Sequence, residues 1–582
     1  MSTGLLSCYV DDVMRFTVAL SALCALFVAC SSPASTVAPT SAASSSSLSS
    51  PSAMAPASSG TAPVVGPPVF ATAPADRRLL LLVTASVQGY VEPCGCTGDP
   101  LGGIARYAGV VQDARRAYGD RVFLVDAGDL LFEKPDDNAA VDLCQAEART
   151  TLLVSTYKRL GVEATVAGPL DEVRGAAFRD RLLSEHGLYS LRQRVSRVLQ
   201  HGGLQVLVIN GGPDTTAADI NADINGDIAR ASIPYDAVVV LSQRDAKQTR
   251  ALAAELKGVD VVVVGRTDEA PAPPEKVGDA TVVNFGWQSQ HVGVVEIVVE
   301  GRVGHTPLPL DDRAAVADGR KRLLDVRVAE IDKLLAALDD GPTKVFQQQR
   351  RDRFAAERTA LDVDVTAPMS GPHISARALP LKRGMTEEPT AFAALKAYEA
   401  AIPGLVSSCE AGVVCPEAAA GVARYVGADT CMACHTAAWD FWTKALVEVK
   451  ATDATGQQRT HLSGHVKAWD TLVHAGRDKD RSCIGCHSAG FDVEGGACTT
   501  RNLVEKRLTA VQCESCHGPG SAHVEGGGDK TKIRRDVPEA RCRECHLPPH
   551  IESTAAFVYD ERLLHILGEG HGAARRAELA KK

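Results

Sequence analysis

The stretch CESCHGPGSAH, Cys513 to His523, places two thiols three positions apart, an imidazole directly after the second, and another imidazole beyond a Gly-Pro-Gly turn. Its first half recurs along the last part of the chain as Cys431-Met432-Ala433-Cys434-His435, Cys483-Ile484-Gly485-Cys486-His487 and Cys542-Arg543-Glu544-Cys545-His546. Each segment reads C-x-x-C-H. Two thiols at this spacing reach the two vinyl groups of one haem and form thioethers, and the next residue sets its imidazole against the iron as proximal ligand. A tetrahedral zinc site needs no histidine at the fifth position, and disulfides, which an oxidising compartment permits, need none either. The repeated full motif therefore predicts four haem c groups, attached through Cys431, Cys434, Cys483, Cys486, Cys513, Cys516, Cys542 and Cys545, with His435, His487, His517 and His546 on the irons.

A second axial ligand must come from what the segment contains. No methionine follows Met432, so thioether ligation requires Met369 or Met385 to reach in, or Met432 to turn back. Histidines are plentiful: His461, His465, His474, His523, His550, His565 and His571. His/His ligation lacks the thioether that raises haem potential, which predicts low-potential electron carriers. Four macrocycles between residues 425 and 575 must form much of their own core, so this domain is expected to be mostly helical and irregular, with helices near 436–447 and 466–475 and loops such as Gly526-Gly527-Gly528.

In order, YVGADTCMACH, HLSGHVKAWDTL, SCIGCHSAGF, VQCESCHGPGSAH, CRECH and ILGEGHG resemble the tetrahaem cytochrome family that accepts electrons from hydroxylamine oxidoreductase. The resemblance runs from about Tyr425 to Gly572. It implies distal ligands at a histidine before an A-W/F-x-T-L segment, one after the Gly-Pro-Gly turn and one near the chain end, here His465, His523 and His571. His523 then closes a neighbouring haem, since six residues of turn do not fold back across the porphyrin of its own motif. The family leaves one haem open or differently closed; His461, His474, His550 and His565 stay as alternatives for it.

Upstream, MRFTVALSALCALFVAC, Met14 to Cys30, has one positive charge, a short apolar run and small residues before the cysteine. It reads as an export signal too short to span a bilayer. Asp11 and Asp12 precede it, which points to translation from Met14. Phe27-Val28-Ala29-Cys30 resembles a lipobox, with lipidation expected at Cys30 and a membrane anchor following from it. An ordinary cleaved signal is the alternative. Residues 31–76, almost all Ser, Ala, Pro and Thr, predict a disordered tether. With a net charge of −9 and no basic surplus, nothing points to nucleic acid.

Residues 77–310 change character. The buried-strand runs LLLLVTAS, RVFLVDAGD, LQVLVINGG, AVVVLSQ and DVVVVG alternate with helical segments such as IARYAGVVQDARRAYG, the pattern of an α/β layered fold. The order of pieces resembles calcineurin-like metallophosphoesterases of the 5'-nucleotidase type, which implies a layered sandwich whose strand ends hold two metals through Asp and His. Residue by residue, this chain departs from that pattern. Ser86-Val87-Gln88 stands for Asp-x-His, Pro169-Leu170 for Asn-His, Gln243 for the next His, and Gly265-Arg266-Thr267-Asp268 for Gly-His-x-His. Only Asp129 survives, and one ligand cannot hold two metals, so the domain is expected to be inactive.

Cys94-Gly95-Cys96 follows the first strand and reads either as a disulfide partner for Cys144 or as a redox-active or metal-binding pair. Cys409 and Cys415 are expected to close a small loop, leaving Cys498 alone. Residues 311–405 read as a charged helical connector. The expectation is an extracytoplasmic carrier that exchanges electrons with redox proteins, its α/β half a dock or scaffold. The alternatives are a nucleotidase fused to a cytochrome, and a multihaem oxidoreductase acting on a small nitrogen or sulfur compound.

Overall fold

The computed structural model describes residues 62–74, 77–94, 100–133, 140–192, 195–230, 235–364, 369–452, 458–546 and 557–581. The expected signal and lipidation site at Cys30 lie outside them, as does Cys96 together with the side chains of Cys94, His461 and His474 and all of His550.

Two six-stranded mixed sheets build the α/β half. In the first the strands run His373–Pro380, His291–Val298, Arg78–Thr84, Val122–Asp126, Ala164–Val166, Ser190–Leu191. The second is ordered Ala272–Val277, Ala280–Asn284, Val261–Val264, Ala237–Ser242, Leu204–Gly211, Ser196–His201. The neighbours from 78 to 191 pair in parallel, as do those from 204 to 284, while antiparallel strands close the remaining edges. Parallel strands are covered on both faces and so carry unbroken aliphatic runs. The pleat then sorts each run: Leu79, Leu81 and Val83 enter the core between the sheets with Val206, Val208, Val239 and Val261. Leu80 and Leu82 enter the layer beneath the helices. Helices Ile104–Tyr118, Ala140–Leu160 and Pro389–Cys409 cover the first sheet, and Ala217–Arg230 and Ala246–Glu255 cover the second. The result is the layered α/β sandwich expected from the alternation of strands and helices.

The stretch 311–405 contains the expected charged helices as a hairpin, Arg313–Ala337 and Pro342–Asp364. It also contributes more than connection. His373–Pro380 pairs antiparallel with His291–Val298, and helix Pro389–Cys409 buries Ala391, Leu395, Tyr398, Ile402 and Val406, one amphipathic stripe. The end of the expected tether is ordered too: Asp113 accepts the Val69 and Phe70 amides at 2.5 and 2.8 Å, and Phe70 is buried. Apolar Val69 and Phe70 interrupt the Ser/Pro composition and give this segment a core to enter.

The cysteine pairing differs from expectation. Cys144 bonds Cys409 and Cys415 bonds Cys498. The reason is packing: helix 389–409 lies on helix 140–160 and brings Cys409 to Cys144 with 6.4 Å between Cα atoms. Spacing within the sequence had favoured the local loop.

The last part of the chain has no long element. Short helical turns surround a small core of Leu472, Ile484, Ala489, Ala497, Leu503 and Leu508. The two helices expected near 436–447 and 466–475 run Thr436–Lys444 and Ala468–His474; from Val447 the backbone turns into a hairpin, Val447–Thr452 with Gln458–Ser463.

Candidate functional site

Every C-x-x-C-H segment lies on a single helical turn. Cys431 ends in helix Ala428–Met432, Cys483 starts in Arg481–Ile484, Cys513 to His517 form one helix, and Cys542 lies in Glu539–Arg543. Helical residues three apart share a face, so the two thiols of each pair point to one side and the histidine follows them. Backbone bonds repeat in the first and last motifs: His435 and His546 each donate their amide to the carbonyl of the first cysteine at 2.9 Å.

The imidazoles then meet in pairs. His435 faces His523 with ring centroids 6.3 Å apart, His546 faces His465 at 6.1 Å, and His517 faces His571 at 5.9 Å. An iron bound axially by two imidazoles at about 2 Å each holds ring centroids about 6 Å apart, so the residues present fit such a group. In each pair one member belongs to a motif and the other is His465, His523 or His571. Among the described residues no second imidazole faces His487 in this way.

The ring nitrogens are sorted as well. His487, His517 and His571 hold the carbonyls of Ala468, Arg534 and Ile566 through Nδ1 at 2.6 Å, and His523 holds Asp529 at 2.8 Å. A carbonyl only accepts, so Nδ1 carries the proton and Nε2 keeps its lone pair for a metal. The buried carboxylate of Glu514 ties the segments together, accepting the amides of Val426, Gly427 and Gly520 at 3.0, 2.8 and 2.7 Å.

A polar cluster joins the two halves beside the second motif, and sequence reading missed it. Arg477 bridges Glu92 of the α/β half and Asp480. Asp480 accepts Gln145 Nε2 at 2.6 Å and the Ser482 hydroxyl at 2.6 Å, one residue before Cys483. Burial works to raise the Asp480 carboxyl, but Arg477, Ser482 and Gln145 hold it below the ordinary range. Arg477 and Asp480 stand just ahead of Cys483, while their partners Glu92 and Gln145 are 385 and 335 positions away, beyond what local sequence discloses.

In the α/β half, the strand ends do converge. The Ser86 hydroxyl donates to the Gly265 carbonyl at 3.0 Å and accepts the Thr267 amide, and Asp129 accepts the Leu170 amide at 2.9 Å. Ser86, Gln88 and Asp129 take φ of 46°, 55° and 50°, unusual for residues with a Cβ. The centre is filled by Gln243, whose amide donates to the Ala127 carbonyl. The fit is close enough that a Cβ on Gly168 would overlap both Asp129 Oδ1 and Gln243 Oε1. Among the described residues no three His, Cys, Asp or Glu side chains are grouped to hold a metal ion.

Repeated attachment turns and the imidazoles around them define a multihaem c-type cytochrome, a protein of electron transfer, joined to an α/β sandwich. The family model for cytochrome c554 and c-prime matches residues 430–518. Cytochrome c-554 of Nitrosomonas europaea is 32% identical over 198 residues, spanning 28% of this chain and 82% of that protein. The chain belongs to the cytochrome c554 family. Solved structures similar to the chain include a Thermus thermophilus sulfate thiohydrolase, SoxB, at 16% identity and a TM-score of 0.31, covering 39% of this chain and 54% of that one. A 5'-nucleotidase precursor, also of Thermus thermophilus, is 16% identical with a TM-score of 0.34, covering 68% and 74%. The two-sheet arrangement rests on the strand order given above and not on these scores. No helix among the described residues is long and apolar enough to cross a membrane.

Proposed function

We propose that the chain is an extracytoplasmic electron relay with four covalent c-type haems, three of them closed by two histidines: His435 with His523, His546 with His465, and His517 with His571. The observation that carries this reading is the set of three facing imidazole pairs, each joining a motif histidine to one outside the motifs. A haem held there supplies a one-electron ferric/ferrous cycle. The chain's own residues orient it: carbonyls of Asp529, Arg534 and Ile566 fix imidazole tautomers, and Glu514 locks the Gly-Pro-Gly turn that carries His523 to the first attachment turn.

The fourth haem, on His487, separates the relay from a second reading. With no facing imidazole there among the described residues, an oxidoreductase acting on a small nitrogen or sulfur compound at that iron is the alternative, because only an open position admits substrate. For the α/β half we propose a scaffold or dock without hydrolase chemistry; the Gln243 amide in the place of metals supports this. Lipidation at Cys30 would tether the protein to the cell envelope, where redox proteins exchange electrons with it, and Cys94 with Cys96 would add a thiol pair to the α/β half.

A pyridine haemochrome assay tests the reading: four haems per chain are expected, and two or fewer, or zinc in their place, contradicts it. The α/β half should release no phosphate from nucleotides with manganese, zinc or calcium, and release abolished by Asp129→Ala would overturn the scaffold assignment.

A further inference from the structure

The segment Lys530 to Arg535 is KTKIRR, four cations between Asp529 and Asp536 in a chain of net charge −9. Lys530, Lys532, Arg534 and Arg535 are exposed. Among the described residues no salt bridge neutralises Lys530, Lys532 or Arg535. Asp529, just ahead, has an exposed carboxylate that accepts the Thr531 amide at 2.9 Å and the Thr531 hydroxyl at 2.8 Å.

The same segment touches the ligands of two different imidazole pairs. The Asp529 carbonyl immediately before it accepts His523 Nδ1 at 2.8 Å, and the Arg534 carbonyl within it accepts His517 Nδ1 at 2.6 Å. The Arg534 amide returns a bond to the His517 carbonyl at 3.1 Å, and its guanidinium reaches the Cys516 carbonyl, also at 3.1 Å. An exposed basic strip is usually only a solvated surface. Here the backbone from Asp529 to Arg534 is one hydrogen bond from a histidine of the His435–His523 pair and one from a histidine of the His517–His571 pair.

We propose that the strip Lys530–Arg535 is the docking surface for an acidic electron-transfer protein, through which electrons pass to or from the haem held by His517 and His571. The inference rests on the relay reading above. Positive charge on the strip attracts an acidic partner over a distance of about 10 Å at moderate salt and steers its encounter. Docking there brings the partner's redox centre against a backbone that is one hydrogen bond from His517. His517 and His571 would hold the haem, which would exchange a single electron with the partner, with no bond made and no proton moved.

The test is stopped-flow reduction of the oxidised full-length protein by an acidic plant-type ferredoxin, whose potential near about −400 mV suits low-potential haems. The second-order rate should fall as salt rises. At low salt it should fall about tenfold or more in K530E/K532E/R535E, and less in the neutral K530Q/K532Q/R535Q, with the two converging on the wild type at high salt. Arg534 is kept because it holds Cys516. Haem content and absorption spectrum are checked in each variant. An unchanged rate in variants with intact spectra, or a wild-type rate that does not fall with salt, overturns the docking surface. A chain carrying two or fewer haems, or one that dithionite does not reduce, fails the relay reading instead.

Discussion

His435 and His523 face each other with 25° between their ring planes, although one closes the first C-x-x-C-H turn and the other follows the third. Glu514 explains how they meet: its carboxylate accepts the Gly520 amide ahead of His523 and the Val426 and Gly427 amides ahead of Cys431. One buried side chain thereby fastens the third motif to the first.

Removing the non-motif member of each imidazole pair should open one iron and no other. His523→Ala, His465→Ala and His571→Ala are each expected to convert one haem to a form that binds carbon monoxide when reduced, counted by the absorption change per chain. A variant that gains no such haem removes its histidine from the ligand set.

Arg477 is 28% exposed, bridging Glu92 and a nearly inaccessible Asp480. Arg477→Met leaves two carboxylates close together without their cation, at a cost of about 3 kcal/mol. Urea unfolding measures it. A loss below about 0.5 kcal/mol would mean that the bridge contributes no more than an exposed pair.

Burial, with the charge of Lys382 added, pushes His291 down to about 4. The folded state therefore binds its proton less readily than the unfolded state. Stability from this group is present above about pH 6.5 and is lost as pH falls toward 4, by at most about 3 kcal/mol. His291→Asn should flatten the pH dependence in that window relative to wild type; equal slopes would show that the ring is not protected from protonation.

With Cys144 and Cys409 joined, and Cys415 and Cys498 joined, the C-x-C pair has lost the partner expected for it. Alkylation of the denatured, unreduced holoprotein should label Cys94 and Cys96. Labelling of Cys144 or Cys498 instead would contradict the pairing.

Fold and site differed in how much of each the sequence disclosed. Aliphatic runs such as Arg78–Thr84 and Val261–Val264 announced buried parallel strands because both faces must be apolar, and the C-x-x-C-H motifs announced their chemistry because thioether spacing admits little variation. Contacts set by packing of distant segments stayed hidden. Nothing near Cys144 names Cys409, nothing near Glu92 names Arg477, and the entry of Phe70 into the core was masked by the Ser- and Pro-rich composition around it. The part played by Gln243 was half legible: a histidine is visibly missing from the sequence there, while the filled centre required Gly128, Gly168 and Gly265 to be brought around the glutamine side chain.

The central claim is that three irons are closed by two histidines each. It is tested most directly by electron paramagnetic resonance of the fully oxidised protein, integrated against its haem content. Three low-spin ferric centres of His/His type per chain are expected, with the fourth haem, on His487, giving a separate signal. A spectrum in which fewer than three haems are low-spin would contradict the account.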